Sequence, residues 1–299
     1  MGKIIIEARV NELATRRGNP NVPFLPKEIV TDAKACYDEG AAIVHFHGRK
    51  ADGTPDHDPN FYLETNAGIR AQSDILIHPT LGYVANDVDA KGRFAAIEEM
   101  MKSADTAPDF APMDVGSVNV DWWNPQEGKY DTTELIYKNS TGTLMYFAER
   151  IRHYNLTPYL VSWNVGFTRQ IEQFLKMGVL DAPAYICFCM TDEIIFAGHP
   201  GTVAGLDAHT AFLPPDYDSV WTAVSYKGDL FTLTEKVIRE GGHISIGLGD
   251  YAYMDGDRHL TNAEVIAKVV AQARALGREP ATVAETRSIL NMKTPRIAA

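Results

Sequence analysis

The hydrophobic pattern of the chain alternates between the two-residue period of a strand and the 3.6-residue period of an amphipathic helix. Short runs of β-branched and aliphatic residues predict strands, and longer helical segments separate them. The predicted strands cover 3–10, 42–47, 74–79, 110–118, 158–163, 184–190, 219–225 and 243–248. The predicted helices cover 26–39, 60–73, 90–102, 132–154, 167–177, 202–212, 229–240 and 262–276, and a last short helix covers 282–291.

Eight strand–helix units in 299 residues are typical of an α/β protein with a (β/α)8 TIM barrel. An open, doubly wound sheet is the structural alternative. The glycine fingerprint that such a sheet often carries after its first strand is missing, because the sequence at 8–12 is ARVNE. No composition break or low-complexity linker divides the chain. We therefore predict a single barrel domain over 1–299 with a short C-terminal helical extension.

One segment, 41–58, carries the strongest chemical signal. Its first residues, 41–44, are small or β-branched and predict a strand buried on both faces. His45 and His47 follow, two residues apart, just before Gly48. Because side chains alternate along a strand, both imidazoles point to the same side. Two such groups at a strand end indicate a site for zinc or another divalent metal. The alternative is one hydrogen-bonded core histidine and one loop histidine.

Other polar residues follow the predicted strands, where a barrel places its functional groups. They are Asn11, Glu12, His78, Thr80, Asp114, Asn164, Lys227 and Asp250, and the turn that contains Thr80 also contains Gly82. Glu7 and Arg9 differ, because they alternate within the first strand itself. A buried Glu–Arg pair at that position is as compatible with a structural role as with a catalytic one.

Composition narrows the classes of partner. A net charge of −11 without a basic block argues against nucleic acid, whose phosphates require clustered Lys and Arg. A small anionic molecule needs only a few local donors and stays possible. The longest apolar runs are strand-sized, so no membrane span is expected. We expect no signal peptide at the start of the chain, and the three cysteines lack a CxxC spacing. We expect a cytoplasmic protein.

The sequence resembles the β-keto acid cleavage enzymes, whose best-described member cleaves 3-keto-5-aminohexanoate with acetyl-CoA. The resemblance spans nearly the whole chain. The segments that carry it are VPFLPKEIVTDAKACYDEGAAIVHFHGRKADGTPDHD (22–58), MDVGSVN (113–119), AERIRHYNLTPYLVSWNVG (148–166), AGHP (197–200), GGHISIGLGD (241–250), LTNAEVI (260–266) and GREPATVAETRSIL (277–290).

The resemblance implies a zinc-dependent barrel, usually a homotetramer. Such an enzyme would transfer the acyl part of a β-keto acid to CoA and form acetoacetate from the acetyl group of acetyl-CoA. His45 and His47 match the family's zinc-binding histidines, and Asp250 matches an acidic residue with a role in proton transfer. Thr80 and Gly82 match the turn that holds the substrate carboxylate. We also expect Asn11 and Glu12, at the tip of the first strand, to bind substrate.

Three family side chains are absent from this sequence. The third zinc ligand, a glutamate, is replaced by Gly249, a strand-five glutamate by Val161, and an arginine after strand seven by Gly228, next to Lys227. Either the site has been rebuilt or it has decayed.

In the rebuilt site, the metal ligands would be His45, His47 and Glu7, because strand one neighbours strands two and eight in a closed barrel. Asp250 or His78 are the alternatives for the carboxylate position. In the decayed site, the protein would be a non-catalytic barrel that binds a small molecule, or would run different chemistry.

The polar residues Tyr159, Trp163 and Asn164, together with the missing strand-five glutamate, favour a neutral or carboxylated β-keto acid over one with an ammonium group. A rival class, the amidohydrolase-type metal hydrolases, also uses an HxH motif in a barrel. That class requires histidines on strands five and six, and the corresponding segments here, 162–164 and 187–189, contain none.

Overall fold

The computed structural model of the protein describes residues 2–81 and 88–298. Within them, eight parallel strands form one sheet. The strands are β1 (Ile6–Arg9), β2 (Ile43–Phe46), β3 (Leu76–Pro79), β4 (Phe110–Asp114), β5 (Thr157–Ser162), β6 (Ala184–Thr191), β7 (Ser219–Tyr226) and β8 (His243–Ile246). The helices are α1 (Pro26–Asp38), α2 (Pro59–Arg70), α3 (Ala90–Met100), α4 (Thr141–His153), α5 (Val165–Lys176), α6 (Val203–Thr210), α7 (Phe231–Arg239), α8 (Asn262–Ala275) and α9 (Val283–Ile289).

The sheet curls into a nearly closed barrel. Its strand order is β3-β2-β1-β8-β7-β6-β5-β4, so that sequential strands are neighbours and β1 pairs with β8. Between β3 and β4, the backbone N–H of Asp109 donates to the carbonyl of Ile77 at 2.9 Å, and the Asp109 carboxylate accepts from the Ile77 N–H at 2.8 Å. The predicted (β/α)8 barrel is therefore confirmed.

Alternation along β1 shows how the barrel sorts its side chains. Ile4, Ile6 and Ala8 pack into the apolar layer between the sheet and the helices. Ile5 belongs to a different apolar cluster, together with Phe110 and Tyr159. Glu7, on the same face as Ile5, contacts residues of β3, β5 and β8 across the barrel interior. The two-residue period thus directs the charged side chains of β1 inward.

The long helix predicted over 132–154 is wrong in its first part. The helix begins at Thr141, with Ser140 as its N-cap. Residues 118–119 pair instead with 136–137 as a short antiparallel ladder, and 123–124 pair with 129–130. The Ser140 hydroxyl accepts from the Thr143 N–H at 3.2 Å, which starts the helix at that point.

Other boundaries shift by a few residues. The fourth strand, predicted to reach 118, ends at Asp114, and the last helix covers Val283–Ile289 with Thr282 in a capping box. Within 2–81 and 88–298, no helix combines the length and the apolar character that crossing a membrane requires. The single-domain organisation stays a prediction.

Two buried histidines, His209 and His243, lie away from the HxH motif of His45 and His47. His209 on α6 stacks on Phe188 with ring centroids 4.6 Å apart, and neither of its ring nitrogens has a hydrogen-bond partner among the described residues. His243 Nδ1 accepts from the Ile5 N–H at 2.9 Å. Burial lowers the pKa of each to about 3, and the nearby His199 and Arg278 respectively add to the shift.

These histidines predict acid lability. Below pH 6.5 the unfolded chain protonates each imidazole, whereas the folded chain does so only near pH 3. The contribution of these histidines to the free energy of unfolding is therefore fully present above pH 6.5. It decreases as the pH falls below that value, by about 1.4 kcal/mol per pH unit for each histidine. The slope of the free energy of unfolding against pH measures how many more protons the unfolded chain binds than the folded chain. We expect His209→Leu to reduce that number by about one between pH 6 and 4.

Urea unfolding in the presence of a chelator measures this slope. His153→Leu is the matched control, because His153 lies exposed on α4, and we expect it to leave the slope unchanged. An unchanged slope in His209→Leu would contradict the prediction.

Candidate metal and substrate site

The two histidines of the HxH motif project from the end of β2 into the mouth of the barrel. His45 Nδ1 lies 2.8 Å from the backbone carbonyl of His78. A carbonyl oxygen only accepts, so Nδ1 carries the proton and Nε2 keeps its lone pair. Burial lowers the pKa of both His45 and His47, which favours the neutral, metal-binding form.

Glu12 joins the two imidazoles. Its Oε1 lies 2.9 Å from His45 Nε2 and its Oε2 lies 2.7 Å from His47 Nε2. His45 Nε2 and Glu12 Oε1 thus face each other as two acceptors, an arrangement that a cation between them would relieve. Burial alone would raise the pKa of Glu12, but Arg9, His47 and His45 lower it well below its usual range. These three side chains form one of two groups that could hold a metal ion in the part of the chain described.

Gly249 makes room for Glu12. A Cβ at 249 would lie 2.7 Å from Glu12 Cγ and 2.8 Å from its backbone nitrogen. The side chain that the family resemblance leads one to expect at 249 would therefore collide with Glu12. Position 249, which follows β8 and lacks the family glutamate, therefore lies in the same region of the barrel mouth as Glu12, which follows β1.

Glu7 lies deeper and belongs to a second group, which shares His45 with the first. It accepts hydrogen bonds from the Tyr159 hydroxyl at 2.5 Å, from His78 Nδ1 at 2.7 Å and from the Ser245 hydroxyl. Burial would raise the pKa of Glu7, but His78 and, less strongly, Arg9 lower it to about 2. Glu7, His45 and His78 form the second group that could hold a metal ion. Hydrogen bonds already satisfy its carboxylate, so a metal fits the Glu12 group better.

The predicted set of His45, His47 and Glu7 is not brought together by the structure. In the β1–β2 register, Arg9 is opposite His45 and Glu7 is opposite Ile43. The backbone of Glu7 therefore lies two residues, roughly 7 Å of strand, below that of His45. The Glu7 carboxylate comes within 4.8 Å of a His45 ring nitrogen, but it shares no such group with His47. Sequence reasoning placed Glu12 in the substrate site and did not include it among the candidate metal ligands. The signal was available, since Glu12 follows β1, the neighbour of β2.

Arg9 connects Glu12 to Asp250. Its Nη2 lies 2.5 Å from Glu12 Oε1, and its Nε donates to Asp250 Oδ1 at 3.2 Å. Asp250 Oδ2 is buried and has no hydrogen-bond partner among the described residues. Burial raises the pKa of Asp250 to about 8, with Glu12 adding to the shift and Arg9 opposing it. Asp250 thus presents one bonded oxygen and one free oxygen beside the Glu12 group.

Lys227 stands at the end of β7 in a left-handed backbone conformation, with φ of 65°. Its N–H donates to the carbonyl of Asp250 at 3.0 Å, and its Nζ lies 5.0 Å from the centre of the Tyr226 ring. The side chain is half-buried, and no carboxylate of the described residues lies within ion-pair distance. Burial lowers the pKa of Lys227, and the buried Tyr226 hydroxyl also lacks a partner there.

Asn11 is fully engaged with backbone groups. Its Nδ2 donates to the carbonyls of His47 at 2.9 Å and Pro23 at 3.1 Å, and its Oδ1 accepts from the His47 N–H at 2.8 Å. The Thr80 N–H donates to the carbonyl of Phe46 at 3.2 Å, and Gly82 lies outside the described residues. The substrate contacts expected of Asn11, Thr80 and Gly82 stay predictions.

A (β/α)8 barrel with imidazole, carboxylate and ammonium groups gathered at the C-terminal strand ends is the arrangement of barrel enzymes. Residues 3–292 match the family described as beta-keto acid cleavage enzyme. The chain therefore belongs to the β-keto acid cleavage enzyme family, and the resemblance found in the sequence is confirmed.

Two relatives cover almost the entire chain. The 3-keto-5-aminohexanoate cleavage enzyme of Fusobacterium nucleatum is 27% identical over 296 residues, which span 98% of this chain and 99% of that one. The 3-oxoadipate:acetyl-CoA acetyltransferase of Cupriavidus necator is 26% identical over 302 residues, which span 98% and 96%. The structure of ObcA with oxaloacetate superposes with a TM-score of 0.73 over 92% of this chain and 68% of that chain, at 14% identity, which shows a shared fold.

Proposed function

We propose that this protein is a metal-dependent β-keto acid cleavage enzyme that uses acetyl-CoA as its second substrate. The observation that carries the proposal is the group formed by His45, His47 and Glu12, with Asp250 beside it, in a member of this family. The relatives named above act on β-keto acids or transfer groups with acetyl-CoA, according to their names. We further propose a cytoplasmic homo-oligomer, a tetramer as the sequence resemblance implies.

His45, His47 and Glu12 would hold the metal, and two imidazoles with a carboxylate are a typical donor set for catalytic zinc. When bound, the metal would act as a Lewis acid that polarises the keto oxygen of the substrate. This set replaces the His45, His47 and Glu7 set predicted from sequence. Arg9 fixes the Glu12 carboxylate from the other side and partly compensates its charge.

Asp250 would act as the general base. The overall exchange moves the CH2–COO⁻ part of the β-keto acid from its own acyl group to the acetyl group of acetyl-CoA, and CoA takes the released acyl group. Asp250 Oδ2 would accept the proton from the carbon between the keto and carboxylate groups and return it to acetoacetate. Arg9 holds Oδ1, which would leave Oδ2 available for the proton transfer.

Lys227 would bind an anionic group of the substrate. A half-buried ammonium without an ion-pair partner is costly, so its counter-ion is best supplied by a ligand. Tyr226 offers a buried hydroxyl beside it. A cation at this point supports a β-keto acid that is neutral or carboxylated at its far end, as the sequence suggests, and disfavours one with an ammonium group.

The ligand set is tested by metal content. We expect about one zinc ion per chain of purified protein, as catalytic zinc sites hold, and its loss in the double variant His45→Ala/His47→Ala. Glu12→Gln should also lose the metal, because an amide is a poor zinc ligand, whereas Glu7→Gln should keep it. Elemental analysis measures this, with circular dichroism to verify folding. Metal lost in Glu7→Gln but kept in Glu12→Gln would restore the ligand set predicted from sequence.

Catalysis is tested by acetoacetate formation from acetyl-CoA and a panel of β-keto acids that differ at the far end. Asp250→Asn removes the base and should lower kcat by roughly 10²–10⁴-fold without loss of metal. Asp255→Asn, at an exposed site five residues after Asp250, is the matched control. Full activity of Asp250→Asn would reject the assigned role. Wild-type protein inactive on the whole panel would favour the non-catalytic barrel.

The anion-binding role of Lys227 predicts a change in KM. Lys227→Met should raise the KM for 3-oxoadipate by roughly 10-fold or more, because a charge-assisted hydrogen bond contributes about 1.5–3 kcal/mol. Lys227→Arg should recover part of the loss. The exposed Lys102→Met is the control. If the KM for acetyl-CoA rises instead, the anion is a CoA phosphate, and unchanged KM values for both substrates would exclude the role.

A further inference from the structure

Glu12 has a backbone conformation that needs support. Its φ is +32°, outside the regions that residues other than glycine normally adopt. Such a conformation costs about 1–3 kcal/mol and persists only where the surroundings enforce it. From this position in the loop between β1 and α1, the carboxylate of Glu12 reaches both imidazoles. The contacts that hold the loop therefore bear on the site.

Arg49 supplies those contacts from the segment directly after β2. Its Nη1 donates to the carbonyls of Glu12 at 2.5 Å and Asn11 at 3.3 Å, and its Nη2 donates to the carbonyl of Ala14 at 2.9 Å. Its Nε and Nη2 also donate to the carbonyl of Gly53, at 2.7 and 2.5 Å. The residue is only 3% exposed. One guanidinium thus spans three carbonyls of the β1–α1 loop and one of its own turn.

The turn that carries Arg49 is itself tightly built. The Lys50 N–H donates to the Thr54 carbonyl at 2.8 Å, and the tip residue Gly53 has a φ of +84°. A Cβ at Gly53 would lie 2.9 Å from the Phe24 ring, and Arg49 Cζ lies 4.8 Å from the centre of the same ring. The Phe24 ring and the Gly53 carbonyl therefore hold the guanidinium in place, independently of its contacts with the loop that carries Glu12.

We propose that Arg49 is a positioning residue for Glu12. It ties the loop after β1 to the same strand end that carries His45 and His47, so that the carboxylate and the two imidazoles keep the separation that a metal site needs. The inference rests on the metal role proposed for Glu12. It assigns to Arg49 no contact with substrate or metal, only with the backbone that aims the ligand.

The test uses a substitution that keeps the charge. Lysine has no planar fork and cannot span carbonyls on two loops, so Arg49→Lys removes the geometry and retains the cation. Groups that orient metal ligands typically change metal affinity 10–100-fold when they are mutated. We expect the zinc Kd of Arg49→Lys, measured by competition with a chromogenic chelator, to rise at least 10-fold.

Arg278 offers a matched control at the opposite end of the barrel. It is also 3% exposed and also donates to backbone carbonyls, those of Ile238 at 3.0 Å, Gly242 at 2.6 Å and Lys3 at 2.8 Å. Arg278→Lys should lower Tm as Arg49→Lys does, because both lose buried hydrogen bonds, but it should leave the zinc Kd unchanged. Equal loss of zinc affinity in both variants, or no loss in Arg49→Lys, would overturn the proposal.

A second readout needs no metal. Amide hydrogen exchange of the metal-free protein should be faster across residues 10–15 in Arg49→Lys than in wild-type protein or Arg278→Lys. If wild-type protein binds no zinc, the proposed function fails, and the exchange measurement alone decides whether Arg49 holds the Glu12 loop. Unchanged exchange across 10–15 would then overturn the positioning role.

Discussion

The arrangement of the barrel mouth depends on one interaction, the Glu12 carboxylate between the Nε2 atoms of His45 and His47. It requires the β1–β2 register to place the end of β1 beside the HxH motif, which the Val10 N–H to His45 carbonyl bond of 3.0 Å secures. It also requires a glycine at 249, where a Cβ would collide with Glu12. The pairing of β1 with β2 and the lack of a side chain at Gly249 thus together allow Glu12 to lie between the two histidines.

Glu7 and Glu12 are both buried carboxylates from the first part of the barrel, and their hydrogen-bond partners distinguish them. Glu7 accepts hydrogen bonds from a tyrosine, a serine and a histidine, so its lone pairs are satisfied inside the protein. Glu12 faces the lone pair of His45 Nε2 and draws on Arg9 for compensation. A cation would stabilise a buried carboxylate that lies next to an unprotonated imidazole nitrogen. A carboxylate surrounded by hydrogen-bond donors is already stabilised without one.

Much of the fold could be predicted from the sequence, because its elements are local and their apolar periods are clear. The chain between β4 and α4 could not. Its predicted helix over 132–154 fails before Thr141, because residues 136–137 pair with 118–119, and that ladder depends on where the loop folds back. Contacts between distant segments override local propensity there.

The sequence by itself determined the barrel, the inward face of His45 and His47, and the family, since a two-residue period, an alternating rhythm and ordered motifs are all local information. Only the tertiary structure decided which carboxylate meets the histidines. A sequence reading places Glu7 within the first strand and Glu12 just after it. In the structure they lie at different heights along the barrel, because β1 pairs with β2 so that Arg9 is opposite His45 and Glu7 is opposite Ile43. Register and the space left at Gly249 are properties of the folded barrel, so no local pattern encodes them.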